Sequence, residues 1–124
     1  MTENTSLFFR PEQRLRNESD YDAVFNEPLR SRDHYFLLLA RANNHAQARL
    51  GLIVSKKKIR KAVSRNRIKR VIRDSFRLHQ HQLPAIDIIV LAYHPANSAD
   101  RELLRRSLNR HWEKLTKKFC NDSG

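Results

Sequence analysis

Two glycines, one cysteine and no apolar run longer than six residues exclude a good deal about this 124-residue chain. The longest apolar stretches, Tyr35 to Ala40 and Ile88 to Tyr93, fall far short of the roughly 20 residues a membrane-spanning helix needs. With Gly51 and Gly124 as the only glycines, and with no repeat or low-complexity tract, nothing marks a flexible joint. One domain over 1–124 is expected, irregular at 1–14 and 119–124. Cys120 has no partner for an internal disulfide and no cysteine neighbour for a metal site, which fits a reducing compartment. The first ten residues carry Glu3 and other polar groups where a secretory signal would place a basic start and a long apolar stretch, so the expected location is cytoplasmic.

Acid is also scarce. Thirteen Asp and Glu face 25 Lys and Arg, a formal charge of +12, which points to a polyanionic partner such as nucleic acid or an anionic membrane surface. A hydrophobic content of 40% still supports a packed core. Asn17 or Ser19 could cap a short helix carrying Tyr21, Val24 and Phe25, which Pro28 would stop. Residues His34 to Ala40 and Arg49 to Ser55 predict two strands, joined by a polar turn at Asn43 and Asn44 and therefore a hairpin. After the break at Pro84, the run Ile86 to Ala92, interrupted only by Asp87, predicts a central strand buried on both faces. Ser98 to Phe119 predicts a long helix capped by Asn97 or Ser98, with Asp100 and Glu102 suited to its positive end. Its apolar stripe is Leu104, Leu108, Trp112, Leu115 and Phe119.

Residues 56 to 77 hold eleven Lys and Arg against the single Asp74, a local charge of +10. From about Arg65 to His79 the pattern is helical, with Ile68, Val71, Ile72, Ser75, Phe76 and Leu78 on one side and Arg65, Arg67, Lys69, Arg70, Arg73 and Arg77 over most of the other. Like charges four apart repel by a few tenths of a kcal/mol per pair, and solubility does not require such one-sided clustering. A phosphate-binding ridge does. No catalytic residue and no metal site are expected, because the acidic residues are dispersed and His79 and His81 lack a third ligand.

Ser55-Lys56-Lys57, then Ala62 and Arg65-Asn66-Arg67-Ile68-Lys69-Arg70, continuing through Ile72-Arg73 and Ser75-Phe76-Arg77, resemble the signature of the bacterial ribonuclease P protein family. Leu83-Pro84-Ala85, the strand Asp87-Ile88-Ile89-Val90, Arg49-Leu50-Gly51-Leu52, Leu15-Arg16, Tyr21 and Val24-Phe25 extend the similarity over about residues 14 to 118. The chain departs from the pattern at Arg60, where many relatives carry glycine.

The resemblance implies an α+β sandwich with a small mixed sheet of about four strands, an N-terminal helix, a basic helix making a left-handed crossover, and a C-terminal helix. It implies a subunit that binds a catalytic RNA and the 5′ leader of precursor tRNA, while magnesium ions held by the RNA perform the cleavage and the protein binds no cofactor of its own. Lys56, Lys57, Lys58, Arg60, Lys61, Arg65, Asn66, Arg67, Lys69, Arg70 and Arg73 would meet the RNA subunit. Tyr21, Phe25, Phe36 and Leu38 would meet the unpaired leader, whose bases stack well on aromatic rings. No membrane or DNA partner is expected. Two other readings remain: a ribosomal or assembly protein that binds structured RNA without processing it, and a DNA-binding protein that places the basic helix in a major groove. Base readout usually needs an exposed recognition helix and dimer symmetry, whereas this helix lies between strand candidates.

Overall fold

The computed structural model describes residues 14, 15, 17–43, 45 and 47–123, with side chains described through Phe119. The N-terminal stretch expected to be irregular, the turn residue Asn44 and the Cys120 side chain lie outside that set, apart from Arg14, which bridges in parallel to Leu50.

Helix α1, Glu18–Phe25, is capped by Asn17, whose side chain accepts from the Asp20 N–H at 3.0 Å. Glu27, at φ 57°, and Pro28 then turn the chain into β1, Leu29–Arg32. The sequence does not announce this strand: it is four residues long, and its two arginines hide any apolar alternation. Strand β2 is Phe36–Ala42, β3 is Arg49–Ile53 and β4 is Ile86–Ala92. The sheet runs β1-β2-β4-β3, with β1/β2 and β2/β4 antiparallel and β3/β4 parallel. The expected hairpin between β2 and β3 is therefore wrong, because β4 lies between them. A polar turn is a local signal. A strand that is apolar on both faces is best buried in the middle of the sheet, and β4 takes that place.

Helix α2, Ala62–His79, starts three residues before the expected Arg65 and buries Ile68, Val71, Ile72, Ser75 and Phe76. Leu78, expected on the same face, is 52% exposed, one residue before the end of the helix. Residues His94–Asn97 form a 3-10 turn, and α3 runs Arg101–Ser123. Its cap is Asp100, whose Oδ1 accepts from the Leu103 N–H at 2.9 Å, rather than Asn97 or Ser98. The helix also continues past Phe119 through residues expected to be irregular. Leu104, Leu108, Trp112 and Leu115 are buried, and Phe119 packs at the edge. The Trp112 indole N–H donates to Ser75 Oγ at 2.8 Å and its ring meets Phe76 edge-on, which fixes α3 against α2.

Alternation along the strands divides the apolar residues between two cores. Phe36, Leu38, Ala40, Leu50, Ile86, Ile88, Val90 and Ala92 face α2 and α3. Leu39 and Ile89 face the other way and join Leu15 and Val24 beneath α1.

A buried polar network ties the sheet to α3. His111 Nδ1 lies 2.6 Å from Ser31 Oγ of β1, and His111 Nε2 lies 3.1 Å from Asp33 Oδ2 with poor hydrogen-bond directionality. Ser107 donates to the same carboxylate, whose Oδ1 accepts from the Tyr35 and Phe36 N–H groups at 2.8 and 2.9 Å. Burial pushes the imidazole below its ordinary range, and the attraction of Asp33 offsets this only in part. Burial pushes the Asp33 carboxyl up, but the hydrogen bonds from Ser107, Phe36 and Tyr35 together hold it below its usual value. Both groups therefore take up protons more readily in the unfolded chain, so stability falls with pH, first through His111 below about 6.5 and then through Asp33 below about 3.9. Thermal melts between pH 7.5 and 5 should show a declining Tm, and His111→Gln should flatten that decline. A decline of the same size in the variant would remove His111 as its source.

Candidate nucleic-acid interface

The sheet face beneath α1 can be built row by row from the strand register. One row is Arg41, Asp87 and Arg49, the next Arg30, Leu39, Ile89 and Gly51, and the third Arg32, Leu37, Leu91 and Ile53. Helix α1 is only eight residues long and covers part of this face. Its buried Val24 sits on Leu39 and Ile89, while Leu37, Ile53 and Leu91 remain half-buried beside it.

Tyr21 and Phe25 occupy two different positions on that helix. The Tyr21 ring lies over Gly51: a Cβ at that glycine would stand 2.8 Å from Tyr21 Cζ and Oη and 3.0 Å from a Leu15 methyl. Phe25 is 45% exposed at the outer end. The assignment of Phe36 and Leu38 to this face is incorrect. Both are fully buried against α2 and α3, and the residues of β2 that face α1 are Leu37 and Leu39. All four are apolar, so the sequence contains no alternation from which to read the facing, and a one-residue slip moves every side chain to the other face.

The row at the end of the sheet anchors α1 electrostatically. Asp87 accepts two hydrogen bonds from the Arg49 guanidinium, at 2.8 and 2.7 Å, and one from Asn43 Nδ2 at 2.7 Å. Arg49 also lies 3.6 Å from Asp20 of α1, and its hydrogen bond to Asp87 in particular raises its affinity for its proton. Arg41 donates to the Ala23 and Asn26 carbonyls at 3.0 and 2.7 Å, meeting the negative end of α1. None of these roles is legible in the sequence, where Asp87 shows only as a break in an apolar run.

The cationic residues cluster on the loop after β3 and on α2. Lys56, Lys57, Lys58, Arg60, Lys61, Asn66, Arg70 and Arg73 are exposed, and Lys69 is half-buried. Arg65 and Arg67 serve the fold as well. Arg65 donates to the Ile59 and Arg60 carbonyls at 2.9 and 2.7 Å, closing the loop onto the helix. Arg67 donates to the Asn97 and Ala99 carbonyls at 3.0 and 3.3 Å, holding the segment before α3. Arg60 needs no left-handed backbone: Glu27 is the one non-glycine residue at positive φ among those described. Lys58 Nζ stands 4.8 Å over the Tyr93 ring. Asn66, Arg67, Arg70 and Arg101 line a groove of about 500 Å³ between α2 and the start of α3.

Most carboxylates near these surfaces have structural partners. Asp87 holds Arg49, Asp33 holds Ser107, Asp100 caps α3, Asp74 lies 3.4 Å from Arg77, and Glu102 lies 3.6 Å from Arg106. Among the described residues no three His, Cys, Asp or Glu side chains gather in a way that could hold a metal ion. No helix among the described residues is long and apolar enough to cross a membrane.

A cationic ridge on one side of a small α+β sandwich, with an aromatic-lined and partly open sheet face on another, defines a binding subunit for nucleic acid. The family model for ribonuclease P matches residues 9–116, and the chain belongs to that family. It is 47% identical over 115 residues to the ribonuclease P protein component of Methylococcus capsulatus, covering 93% of this chain and 90% of that one. It is 46% identical over 111 residues to that of Saccharophagus degradans, covering 89% and 82%. Its fold matches the RNase P protein of Staphylococcus aureus with a TM-score of 0.75 at 33% identity, covering 85% of this chain and 95% of that one. The RNase P protein of Thermotoga maritima matches with a TM-score of 0.73 at 30% identity, covering 82% and 96%. The chain is thus the protein component of an endoribonuclease complex that processes tRNA 5′ ends.

Gly51→Ala should push the Tyr21 ring off the sheet, since neither the ring nor Leu15 has room for the methyl. The expected cost is about 1 to 3 kcal/mol of stability, with altered chemical shifts for the Tyr21 ring. A variant with unchanged shifts and stability would show that the glycine does not set the ring.

Proposed function

We propose that the sheet face beside α1 binds the unpaired 5′ leader of precursor tRNA, and that the ridge of Lys56, Lys57, Lys58, Arg60, Lys61, Asn66, Lys69, Arg70 and Arg73 binds the catalytic RNA. The observation that carries the leader reading is the half-buried apolar strip of Leu37, Leu91 and Ile53, with Tyr21 packed on the same small core and Phe25, 45% exposed, on the helix that carries it. A flat π surface next to an apolar floor suits unpaired bases, and Tyr21 on its glycine supports the same wall. Arg65 and Arg67 contribute positive potential to the ridge while holding backbone carbonyls. Cleavage on this reading is performed by magnesium ions bound to the RNA. Its support is that Asp87, Asp33, Asp100, Asp74 and Glu102 are engaged with structural partners. The place of action is the cytoplasm, where precursor tRNA and a reduced lone cysteine are both expected.

Phe25→Ala should weaken holoenzyme binding of a precursor tRNA with a leader several nucleotides long by about 1 to 3 kcal/mol and leave binding of leaderless tRNA unchanged. Folding stability should move by no more than about 0.5 kcal/mol, because the ring is substantially exposed. Equal losses on the two substrates would rule out leader stacking. For the ridge, Arg70→Gln with Arg73→Gln should reduce the slope of log affinity for the RNA subunit against log salt by roughly 1.5, since each phosphate left without its cation lowers the slope by ~0.7 to 0.9. An unchanged slope would remove these two residues from the RNA-binding surface.

A further inference from the structure

The α2 ridge and its loop follow β3, one edge of the sheet. A second set of cations surrounds the opposite edge. Arg30 and Arg32 leave β1 on the α1 face, as the cross-strand partners of Leu39 and Leu37, and both are exposed. Ser31 between them points to the other face and meets His111 at 2.6 Å, which joins the edge strand to α3. Arg110 and Lys114 flank that histidine closely enough for their charges to act on it, and both are exposed on the outer side of α3.

Four cations carried by two elements thus stand at the β1 edge of the sheet, Arg30 and Arg32 on its α1 face and Arg110 and Lys114 on the helix that packs on its other face. None of Arg30, Arg32, Arg110 and Lys114 forms an ion pair with a described residue. Asp33, at the same corner, turns inward to Ser107 and to the Tyr35 and Phe36 N–H groups. Arg110 and Lys114 are four apart on a helix, a spacing at which like charges repel, and Glu113 between them in the chain forms an ion pair with neither. Arginine on an edge strand also discourages strand addition, but that role accounts for Arg30 and Arg32 alone and not for cations on a helix. Three of the four groups are guanidinium forks, which match phosphate oxygens in pairs.

We propose that the β1 edge and the adjoining face of α3 form a second RNA-phosphate surface, which takes the backbone of an RNA segment other than the one on the α2 ridge. The protein then bridges two RNA segments across the width of its sheet. This goes beyond the assignments above; Arg30 and Arg32 share strand rows with Leu39 and Leu37 of the proposed leader face, and binding of the RNA subunit without precursor tRNA separates the two roles.

The test uses the holoenzyme reconstituted with its matching RNA. Arg30→Gln, Arg32→Gln, Arg110→Gln and Lys114→Gln are combined, with the pairs on β1 and on α3 also made separately, and melting curves check the fold. Affinity for the RNA subunit is measured from 50 to 200 mM salt, and nuclease footprints are compared with those of wild type and of the Arg70, Arg73 variant. The slope should fall by ~0.7 to 0.9 for each phosphate that is no longer neutralised, about 3 for all four. One protected RNA stretch should disappear while the stretch that depends on Arg70 and Arg73 persists. An unchanged slope and footprint would overturn the proposal. So would a variant that self-associates while binding RNA normally, which would make these residues edge guards only. Disappearance of both protected stretches together would overturn the idea of two separate segments, and failure of the Arg70, Arg73 variant to act would count against the ridge alone.

Discussion

The structure depends on one constraint: β4 is apolar on both faces and must be covered on both. It has a strand on each side, antiparallel β2 and parallel β3, so its backbone groups are paired along both edges. One face is covered fully by α2 and α3, which meet through Trp112, Phe76 and Ser75. The other has only α1, eight residues long, and the remainder of that face stays half-buried. The candidate leader cleft is thus the uncovered part of a face that the fold requires to be apolar.

The polar residue in β4 makes the arrangement specific. Asp87 sits where the strand begins, and its carboxylate draws Arg49 of β3 and Asn43 after β2 to the same corner. A part-buried charge pair of this kind adds little net stability, since desolvation opposes the attraction, but it penalises any register that separates the partners. Through Asp20 and the Arg41 hydrogen bonds the same corner fixes both ends of α1. The platform for Tyr21 and Phe25 is therefore set by residues that carry none of its aromatic surface.

Electrostatics separates into cations that build and cations that remain available. Arg65, Arg67, Arg41 and Arg49 donate to backbone carbonyls or to a carboxylate and hold loops and α1 in place. The exposed lysines and arginines of the loop, the outer face of α2 and the outer face of α3 repel one another, and acid offsets this at Asp74 beside Arg77 and Glu102 beside Arg106. That repulsion weakens the free protein, and on the proposed RNA contacts it would be relieved by the phosphates.

Local chemistry is legible in the sequence. The basic helix and its buried residues Ile68, Val71, Ile72 and Phe76, the apolar stripe of α3, the Asn17 cap and the central β4 all follow from periodicity and charge within one segment. The basic motif also leads to the family. What the sequence does not disclose is nonlocal. The insertion of β4 between β2 and β3 is hidden because a polar turn looks the same whether or not its flanking strands pair. The facing of β2 is hidden because Phe36, Leu37, Leu38 and Leu39 are all apolar, and only packing against the helices decides which two are buried against α2 and α3. Strand β1 and its docking on α3 depend on a partner 80 residues away, through the Ser31 to His111 contact. Helical spacing repeats within a few residues and is written into the chain, whereas strand order and facing are set by whichever distant surface buries the most apolar area.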